Sequence, residues 1–452
     1  MKKRILIVVA GNKGTIGMCS RNLYLALQKQ EEIEVKCVCV HRFPDGLPEF
    51  DDIDYYSPIR SSLWGRVGII GQILWLRGIK RRFKPDITIS TLFSTSFINV
   101  LSGGSGKTIG IFHSPHQQLK VFGTISYMMT LFNYNFIYPF LDKLACVSEE
   151  VKESLAVFPL IRERKVEVIY NVHNADLIRA KGDEPLPKDD AVCFAHPCLL
   201  YCGRMDGNKA PDRALEAFAL AKKTGNMQLV YIGTDESGMM DGIMHRAKEL
   251  GIAERVHYLG RKSNPYPYMK QAMALISTSY SEGLPGVMIE SLILGTPVVT
   301  TNSSKGIWEI FSCVDKYQKD LNRNYVCECG IITPNRSFTN KQFYASDIQF
   351  LAEAISSIEK MGRCSAFKFE KKVSANYIYN QFKNLPEMKL KRFVRKSVFT
   401  IGKFFVTKLA YVDSRLYMSY YNKLLNYSGL QMCVGGVNLG SLQRVSSLTL
   451  LS

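Results

Sequence analysis

The sequence predicts an α/β fold of two domains, each built on a doubly wound parallel sheet, with a cleft between them. The chain has 452 residues, which is more than one hydrophobic core ordinarily serves. Its hydrophobic content of 46% excludes a disordered protein. Short apolar runs alternate with helix-like segments in the first half and again after residue 197. This alternation is typical of βαβ units with right-handed crossovers.

The first half contains apolar runs that predict strands buried on both faces. The opening stretch MKKRILIVVAGNKG resembles a signal peptide, but its apolar core is too short and a charged loop follows it. We therefore expect a first strand that enters a glycine loop. The predicted strands of this half are 5–11, 35–41, 86–90, 108–113, 144–148 and 165–171.

The second half repeats the pattern. Between its first two runs lies APDRALEAFALAKKTG, a helix with Pro211 in its first turn and Gly225 past its end. Further helices are expected around 238–250 and 286–294. The predicted strands are 199–204, 228–233, 256–260, 274–278 and 297–301.

The two series of strands predict two domains that are joined by a polar linker. The two sheets are Rossmann-like, and the carboxyl ends of their strands face the shared cleft, where ligands of such folds bind. We predict an N-terminal domain at 1–175, a polar linker at 176–197, a C-terminal domain at 198–365, a helix returning toward the N-terminal domain at 366–385 and a basic aromatic tail at 386–452.

The net charge of +18 predicts an anionic partner, which is nucleic acid, an anionic membrane or a phosphorylated small molecule. Between Lys389 and Lys423 there are nine basic residues and one acid, interleaved with aromatic residues. This pattern favours an anionic bilayer surface over the alternative of a solvated helix. No stacking motif or helix-turn-helix pattern supports nucleic acid, so we expect no such partner.

Twelve cysteines without a Cys-x-x-Cys pair or a secretory signal suggest a reducing compartment. Two Cys-x-Cys pairs, 37/39 and 327/329, are each expected on one face of a strand. A further group consists of Cys193, His196, Cys198 and Cys202, three of which bracket the apolar run LLYC. Buried thiols are common beside such a run, so a zinc site is the weaker interpretation and we expect no metal.

Residues 121–141 carry no charge and are long enough for a membrane span. They also contain Asn133, Asn135 and Pro139. A pair of helices that is buried or faces an interface is therefore the expected structure.

Two cations stand at the mouth of the second predicted sheet. Arg204 stands just after LLYCG, at the carboxyl end of the predicted strand, and Lys209 lies near the start of the next helix. Fixed cations beside a helix N-terminus make a pyrophosphate site. The alternative is a surface arginine paired with Asp206.

Two acids lie in SEGLPGVMIESLILGTPVVTT, residues 281–301. The turn before Gly286 starts a helix whose free amides favour a phosphate. Carboxylates instead accept hydrogen bonds from vicinal hydroxyls, so Glu290 suits a ribose diol and Glu282 the hydroxyls of a second sugar. The alternative is a capped or salt-bridged helix. Cations and acids together predict a nucleotide-sugar.

These segments resemble the successive blocks of the group-1 glycosyltransferases, glycosyltransferase family 4. The blocks are GRMDGNKAPDRALEAF, YIGTDESG, AKELGIAERVHYLGRKSNPYPYMKQA and SEGLPGVMIESLILGTPVVTT. The resemblance implies a GT-B fold, a nucleotide-sugar donor (a UDP-sugar in our prediction), no metal or other cofactor, and retention of anomeric configuration.

The resemblance also implies the site. It assigns catalytic roles to His113, Arg204, Lys209 and Glu282. It assigns donor binding to Gly17, Arg204, Lys209, Arg261, Glu282, Gly283, Leu284, Pro285, Gly286, Val287 and Glu290.

Three details of this assignment concern local sequence. The loop GNKGTIG, which ends at Gly17, is expected beside the donor phosphates. In IFHSPHQ, His113 and more weakly His116 match a histidine near the transferred sugar; the alternative is a histidine satisfied by backbone at the end of a buried strand. Ala210-Pro211 follows the lysine where relatives often have glycine.

We expect transfer of a hexose or N-acetylhexosamine to a lipid-linked glycan, as in bacterial capsule, O-antigen or exopolysaccharide assembly. Segments 63–84, 121–141 and 389–423 suggest a shared membrane-facing surface. The expected location is cytoplasmic, peripheral on the inner face of the plasma membrane. The alternatives are a nucleotide-sugar epimerase or phosphorylase of similar fold, or an anion- or nucleic-acid-binding protein.

Overall fold

The computed structural model describes residues 2–11, 14–41, 53–56, 68–116, 124–221, 225–336, 345–365 and 367–383. Within these ranges the chain forms two seven-stranded sheets, one in each half. The prediction of two α/β sheets is confirmed. The predicted tail 386–452 and residues 63–67, 117–123 and most of the loop GNK lie outside the described residues.

The first sheet is wholly parallel, and its order is β3-β2-β1-β4-β5-β6-β7. Chain order reverses beside β1, so a crevice opens between the carboxyl ends of β1 and β4. Its strands are β1 (Lys3–Gly11), β2 (Ile33–His41), β3 (Asp54–Tyr55), β4 (Ile87–Ser90), β5 (Lys107–Phe112), β6 (Lys143–Cys146) and β7 (Val166–Val168). Its helices are α1 (Gly14–Gln28), α2 (Gly68–Phe83), α3 (Phe93–Leu101), α4 (Thr124–Phe136) and α5 (Glu149–Ser154).

The second sheet has the order β10-β9-β8-β11-β12-β14-β13, with β13 antiparallel to β14. Its strands are β8 (Cys198–Cys202), β9 (Gln228–Ile232), β10 (Val256–Tyr258), β11 (Ala274–Ser277), β12 (Val298–Thr301), β13 (Tyr325–Cys327) and β14 (Gly330–Thr333). Its helices are α6 (Ala175–Gly182), α7 (Lys188–Ala191), α8 (Pro211–Leu220), α9 (Met239–Glu249), α10 (Tyr266–Gln271), α11 (Gly286–Ile293), α12 (Lys305–Ile310) and α13 (Ala345–Ile358), and α14 (Glu370–Val373) and α15 (Ala375–Lys383) follow them.

The sequence analysis did not predict β3, β13 or β14. The expectation for the second Cys-x-Cys pair is therefore wrong. Cys327 ends β13, whereas Cys329 lies in the turn and forms a disulfide with Cys364. The first pair behaves as expected, since Cys37 and Cys39 are both buried on β2.

The uncharged stretch forms α4 followed by a short 3-10 turn. Tyr134 and Tyr138 from this stretch are fully buried in the core of the first half. Across the parts of the chain that the structure describes, no helix combines the length and apolar character that a membrane span needs. The polar segment 176–197 contains α6 and α7, and α6 packs on α10 and α11.

The chain returns to the first half at its described end. Helix α15 packs on α1, and the Tyr379 hydroxyl donates a hydrogen bond to Glu32. The backbone N–H of His173 donates to the carbonyl of Val373 over 2.9 Å. The chain segment that follows the second sheet is thus fixed on the first half.

Candidate active site

The loop after β8 places Lys209 against the loop after β11. The Asp206 carboxylate accepts hydrogen bonds from the backbone N–H groups of Asn208 and Lys209, each over 2.9 Å. The Asn208 side-chain amide donates to the Ser281 carbonyl over 2.9 Å. These bonds hold Lys209 where its Nζ lies 2.6 Å from Oε1 of Glu282. The predicted cation and the predicted acid are therefore direct neighbours.

Arg204 lies on the same loop and pairs with Asp206, with 3.1 Å between its NH2 and the carboxylate. This is the pairing that the sequence offered as an alternative to a phosphate site. About a third of each side chain is exposed, at 32% and 33%. An ion pair so open to water is weak, so it leaves the guanidinium able to exchange Asp206 for a bound anion.

Ala210 follows Lys209 at a position where relatives often have glycine. It has the left-handed backbone conformation, with φ 46° and ψ 59°, and it precedes α8. Its carbonyl accepts a hydrogen bond from the Thr278 hydroxyl over 2.7 Å. The loop thus follows a glycine-type path with alanine in place, which raises the energy of the folded state.

The loop from Glu282 to Pro285 brings the two halves into contact. The Glu282 N–H donates to the Ser303 carbonyl over 3.1 Å, which fixes the loop on the second half. At Gly283, a Cβ would lie 2.2 Å from the carbonyl oxygen of His113 in the first half. Helix α11 then begins after Pro285 without a side-chain cap from the described residues. Its first amides are available to an anion.

Glu290 lies one turn into α11 and is partly buried. Burial raises the pKa of its carboxyl to about 7. Its charge also acts on two thiols that burial already perturbs, raising the pKa of Cys19 and of Cys202 to about 12, and Lys209 opposes this effect at Cys202. Glu290 therefore faces both α1 of the first half and the β8 end that carries the cations.

His113 follows β5 and lines a pocket with about 330 Å³ of empty space, open mouth included. Burial lowers its pKa to about 4, and a hydrogen bond with the Thr91 backbone acts in the opposite direction. Its Nε2 is buried and has no hydrogen-bond partner among the described residues. The ring is therefore neutral and has an unused polar atom. Other lining residues are Cys19, Ser20, Leu23, Ile111, Ile169, Tyr170, Asn171, Val172 and Ile378.

Three other residues that the sequence singled out lie outside this group. His116 packs edge-on against Phe158 and Tyr134 in the aromatic core, which is a structural environment. Gly17 does not end a loop, because α1 already begins at Gly14, and it is buried within that helix. Arg261 is exposed just after β10. Donor binding by Gly17 and Arg261 stays a prediction.

The sequence missed a reciprocal contact between α5 and α12, which we call the carboxylate clasp: Glu149, Glu150, Lys305, Glu309 and Tyr170. Glu309 accepts hydrogen bonds from the Glu149 N–H, over 2.9 Å, and from the Tyr170 hydroxyl, over 2.8 Å. Glu150 accepts one from the Lys305 N–H over 2.7 Å. Each helix thus lends a carboxylate to the N-terminus of the other across the two halves.

Within the described ranges, no three or more histidine, cysteine or acidic side chains are grouped so as to hold a metal ion. This includes the group of Cys193, His196, Cys198 and Cys202. Cys198 and Cys202 lie on β8, where burial raises the pKa of both thiols.

Two known protein families match the two halves of this chain. The family described as "Glycosyl transferases group 1" matches residues 195–314, and "Glycosyltransferase Family 4" matches residues 17–177. Together these ranges cover more than half of the chain and both sides of the cleft.

The chain belongs to the group 1 glycosyltransferases.

Curated relatives of this group 1 glycosyltransferase chain include two bacterial enzymes. The Campylobacter jejuni N-acetylgalactosamine-N,N'-diacetylbacillosaminyl-diphospho-undecaprenol 4-alpha-N-acetylgalactosaminyltransferase is 30% identical over 42% of this chain. The lipopolysaccharide 1,6-galactosyltransferase of Salmonella typhimurium is 28% identical over 49% of it. The matches span 51% and 57% of the length of these relatives.

Solved structures agree with the group 1 assignment at the level of the fold. The apo form of a lipopolysaccharide outer core galactosyltransferase superposes with a TM-score of 0.59 at 17% identity, over 85% of this chain and 99% of that one. Anabaena HepE, solved with UDP and glucose, superposes with a TM-score of 0.58 at 13% identity, over 84% of this chain and 98% of HepE. The expected GT-B fold is confirmed.

Proposed function

We propose that this chain transfers a hexose or N-acetylhexosamine from a UDP-sugar to a hydroxyl of a lipid-linked glycan, with retention and without a metal ion. The observation that carries the proposal is the convergence of Lys209, Glu282 and the uncapped start of α11 at the point where Gly283 touches His113. A cation and free amides suit a diphosphate, and a carboxylate suits sugar hydroxyls.

In the proposed reaction, the bond between the sugar and the diphosphate breaks and negative charge grows on the leaving group. Lys209, Arg204 and the first amides of α11 stabilise this charge. Glu282 and the neutral His113 hold hydroxyls of the transferred sugar. Since no residue is assigned as a nucleophile, we expect the acceptor hydroxyl to attack the anomeric carbon from the face from which the diphosphate leaves, which gives retention. Its oxygen forms the new glycosidic bond, and its proton passes to the leaving phosphate.

The acceptor is proposed from the relatives and from the surface of the first half. The Campylobacter relative carries diphospho-undecaprenol in its name, and the Salmonella relative is named for lipopolysaccharide. On α4, Met128 and Phe136 are 63% and 54% exposed, and Phe132 packs on Phe136. Exposed apolar side chains on an uncharged helix suit the interface of a bilayer. We propose that the chain works peripherally, at the inner face of the bacterial plasma membrane.

The test is release of nucleoside diphosphate from UDP-, GDP- and ADP-sugars, with and without undecaprenyl diphosphate glycans, in buffer containing EDTA. The expected result is UDP release that depends on the lipid-linked acceptor, persists in EDTA and gives an α-linked product from an α-linked donor. Isomerised donor without released UDP would instead identify an epimerase. Phosphate-dependent turnover would identify a phosphorylase.

A further inference from the structure

His173 is a histidine of the first half that lies at the start of α11, where neither sequence pattern nor family match assigned a role. It follows β7 and is 4% exposed. Its ring packs on the first residue of α11: a Cβ on Gly286 would lie 3.4 Å from Cε1 and 3.8 Å from Nε2. His173 therefore reaches from one half of the molecule to the helix N-terminus of the other.

The hydrogen bonding of this ring decides which nitrogen carries the proton. Nδ1 is buried and has no hydrogen-bond partner among the described residues. A buried N–H without an acceptor is rarer in proteins than an unused acceptor. The favoured tautomer is thus the one with a bare Nδ1 and a proton on Nε2, the nitrogen on the side of Gly286.

The ring is also uncharged. Burial lowers the pKa of His173 to about 4. The positive end of a helix dipole acts in the same direction on a nearby imidazole. A neutral ring at this place presents one N–H donor beside the first amides of α11, which also donate, and no described side chain caps the start of this helix. An acceptor with several lone pairs, such as a phosphate, suits donors that lie this close together.

We propose that His173 binds the diphosphate of the donor, with Nε2–H donating to an oxygen that the first amides of α11 also hold. This inference rests on the proposed function, because it specifies how the same cleft binds its nucleotide. His173 also donates its backbone N–H to Val373, so the returning C-terminal segment fixes its position.

The experiment compares binding of UDP and of uridine by calorimetry in the full chain, with GDP and ADP pairs run alongside. His173→Leu removes the donor, and His173→Gln places an amide N–H near the position of Nε2. We expect UDP affinity to fall about tenfold in His173→Leu and to be largely restored in His173→Gln, while uridine affinity is unchanged. His257→Asn is the control, because His257 pairs with Gln228 on the edge of the second sheet.

A second measurement covers the case in which His173→Leu does not fold. In wild-type chain labelled with ¹⁵N-histidine, the His173 ring should give the Nε2–H pattern, and UDP but not uridine should shift it. Equal loss of UDP and uridine affinity, or no loss of either, overturns the inference, as does an Nδ1–H pattern insensitive to UDP. If the wild type binds none of the three diphosphates, the proposed function itself fails.

Discussion

The ammonium of Lys209 lies 2.6 Å from the carboxylate of Glu282, and the two side chains are 24% and 12% exposed. This pair joins the loop after β8 to the loop after β11. In the proposed reaction it stands where the phosphate and the sugar of the donor meet, so one residue serves each side of the bond that breaks. The ion pair holds both side chains in place before the donor arrives.

Removing the Lys209 ammonium should lower the rate of the reaction more than the stability of the fold. Lys209→Ala is expected to lower kcat/KM by about 10²–10³, since it deletes a charge that stabilises the leaving diphosphate. Glu282→Gln retains hydrogen bonding to sugar hydroxyls and should lower it less. Steady-state kinetics with a UDP-sugar and denaturant unfolding measure both effects. A loss of stability above about 1 kcal/mol in Lys209→Ala would contradict a mainly catalytic role for this partly exposed pair.

Contact between the halves at Gly283 should be essential. In Gly283→Ala the new Cβ would lie 2.2 Å from the His113 carbonyl oxygen, so the cleft cannot close to its present shape. We expect a loss of turnover of at least a hundredfold with both halves still folded. Small-angle scattering should report a larger radius of gyration. Gly242→Ala is the matched control, because no described atom lies within 4 Å of its Cβ position, and it should behave as wild type.

Binding of the donor should depend on the charge of Glu290. Its pKa of about 7 lies above the ordinary 4.5, so the carboxylate that accepts ribose hydroxyls forms only as pH rises through 7. The KM for an intact UDP-sugar, whose diphosphate stays fully ionised, should therefore fall between pH 6 and 8. Glu290→Gln should have a higher KM that does not change over this range. If KM of Glu290→Gln varied with pH as it does in wild type, Glu290 would not be part of the ribose site.

The carboxylate clasp should make stability depend on pH. Burial raises the pKa of Glu150 to about 7, above 4.5, so its charged form destabilises the folded state, and this effect develops as pH rises from 4.5 to 7. Glu150→Gln can still accept the Lys305 N–H. It should match wild type near pH 5 and exceed it by about 1 kcal/mol at pH 8.

The matched control for the clasp lies on the same helix. Glu153 is 58% exposed and pairs with Lys305 from outside the buried contact. In thermal unfolding, Glu153→Gln should not become more stable relative to wild type as pH rises. Equal pH profiles for Glu150→Gln and Glu153→Gln would mean that burial of Glu150 has no energetic consequence.

The left-handed Ala210 gives a local test of the phosphate loop. Ala210→Gly should keep stability within about 1 kcal/mol of wild type, because relief of backbone strain offsets the greater entropy of the unfolded chain. Ala210→Val places a β-branched residue at φ 46° and should cost about 2 kcal/mol or more. Urea unfolding measures both variants. Equal effects of the two substitutions would show that this φ does not matter.

Local sequence patterns predicted that cations and acids of the second half meet in the candidate site, and Lys209 and Glu282 are in contact. Arg204 and Lys209 follow one strand, and Glu282 and Glu290 follow another, and parallel strands bring such positions to one edge. Contacts between the halves were not predictable. Tyr170 and Glu309 are 139 residues apart, and no periodicity links them.

Histidines illustrate the same limit. His113 and His116 come from one motif, yet only His113 faces the pocket, because His116 turns into the aromatic core around Tyr134. His173 has no motif in its favour. Its place beside Gly286 depends on how two domains pack, which a single-residue pattern does not encode.

The wall of the first-half pocket includes Ile378, from a helix that belongs to neither sheet. On the ribosome, the first sheet is made long before this helix emerges, so the nascent N-terminal domain has its strands but an open flank. That flank closes only after the second domain has been synthesised. The wall of this pocket is therefore complete only once nearly all of the described chain exists, and we expect products that end before Ile378 to lack it.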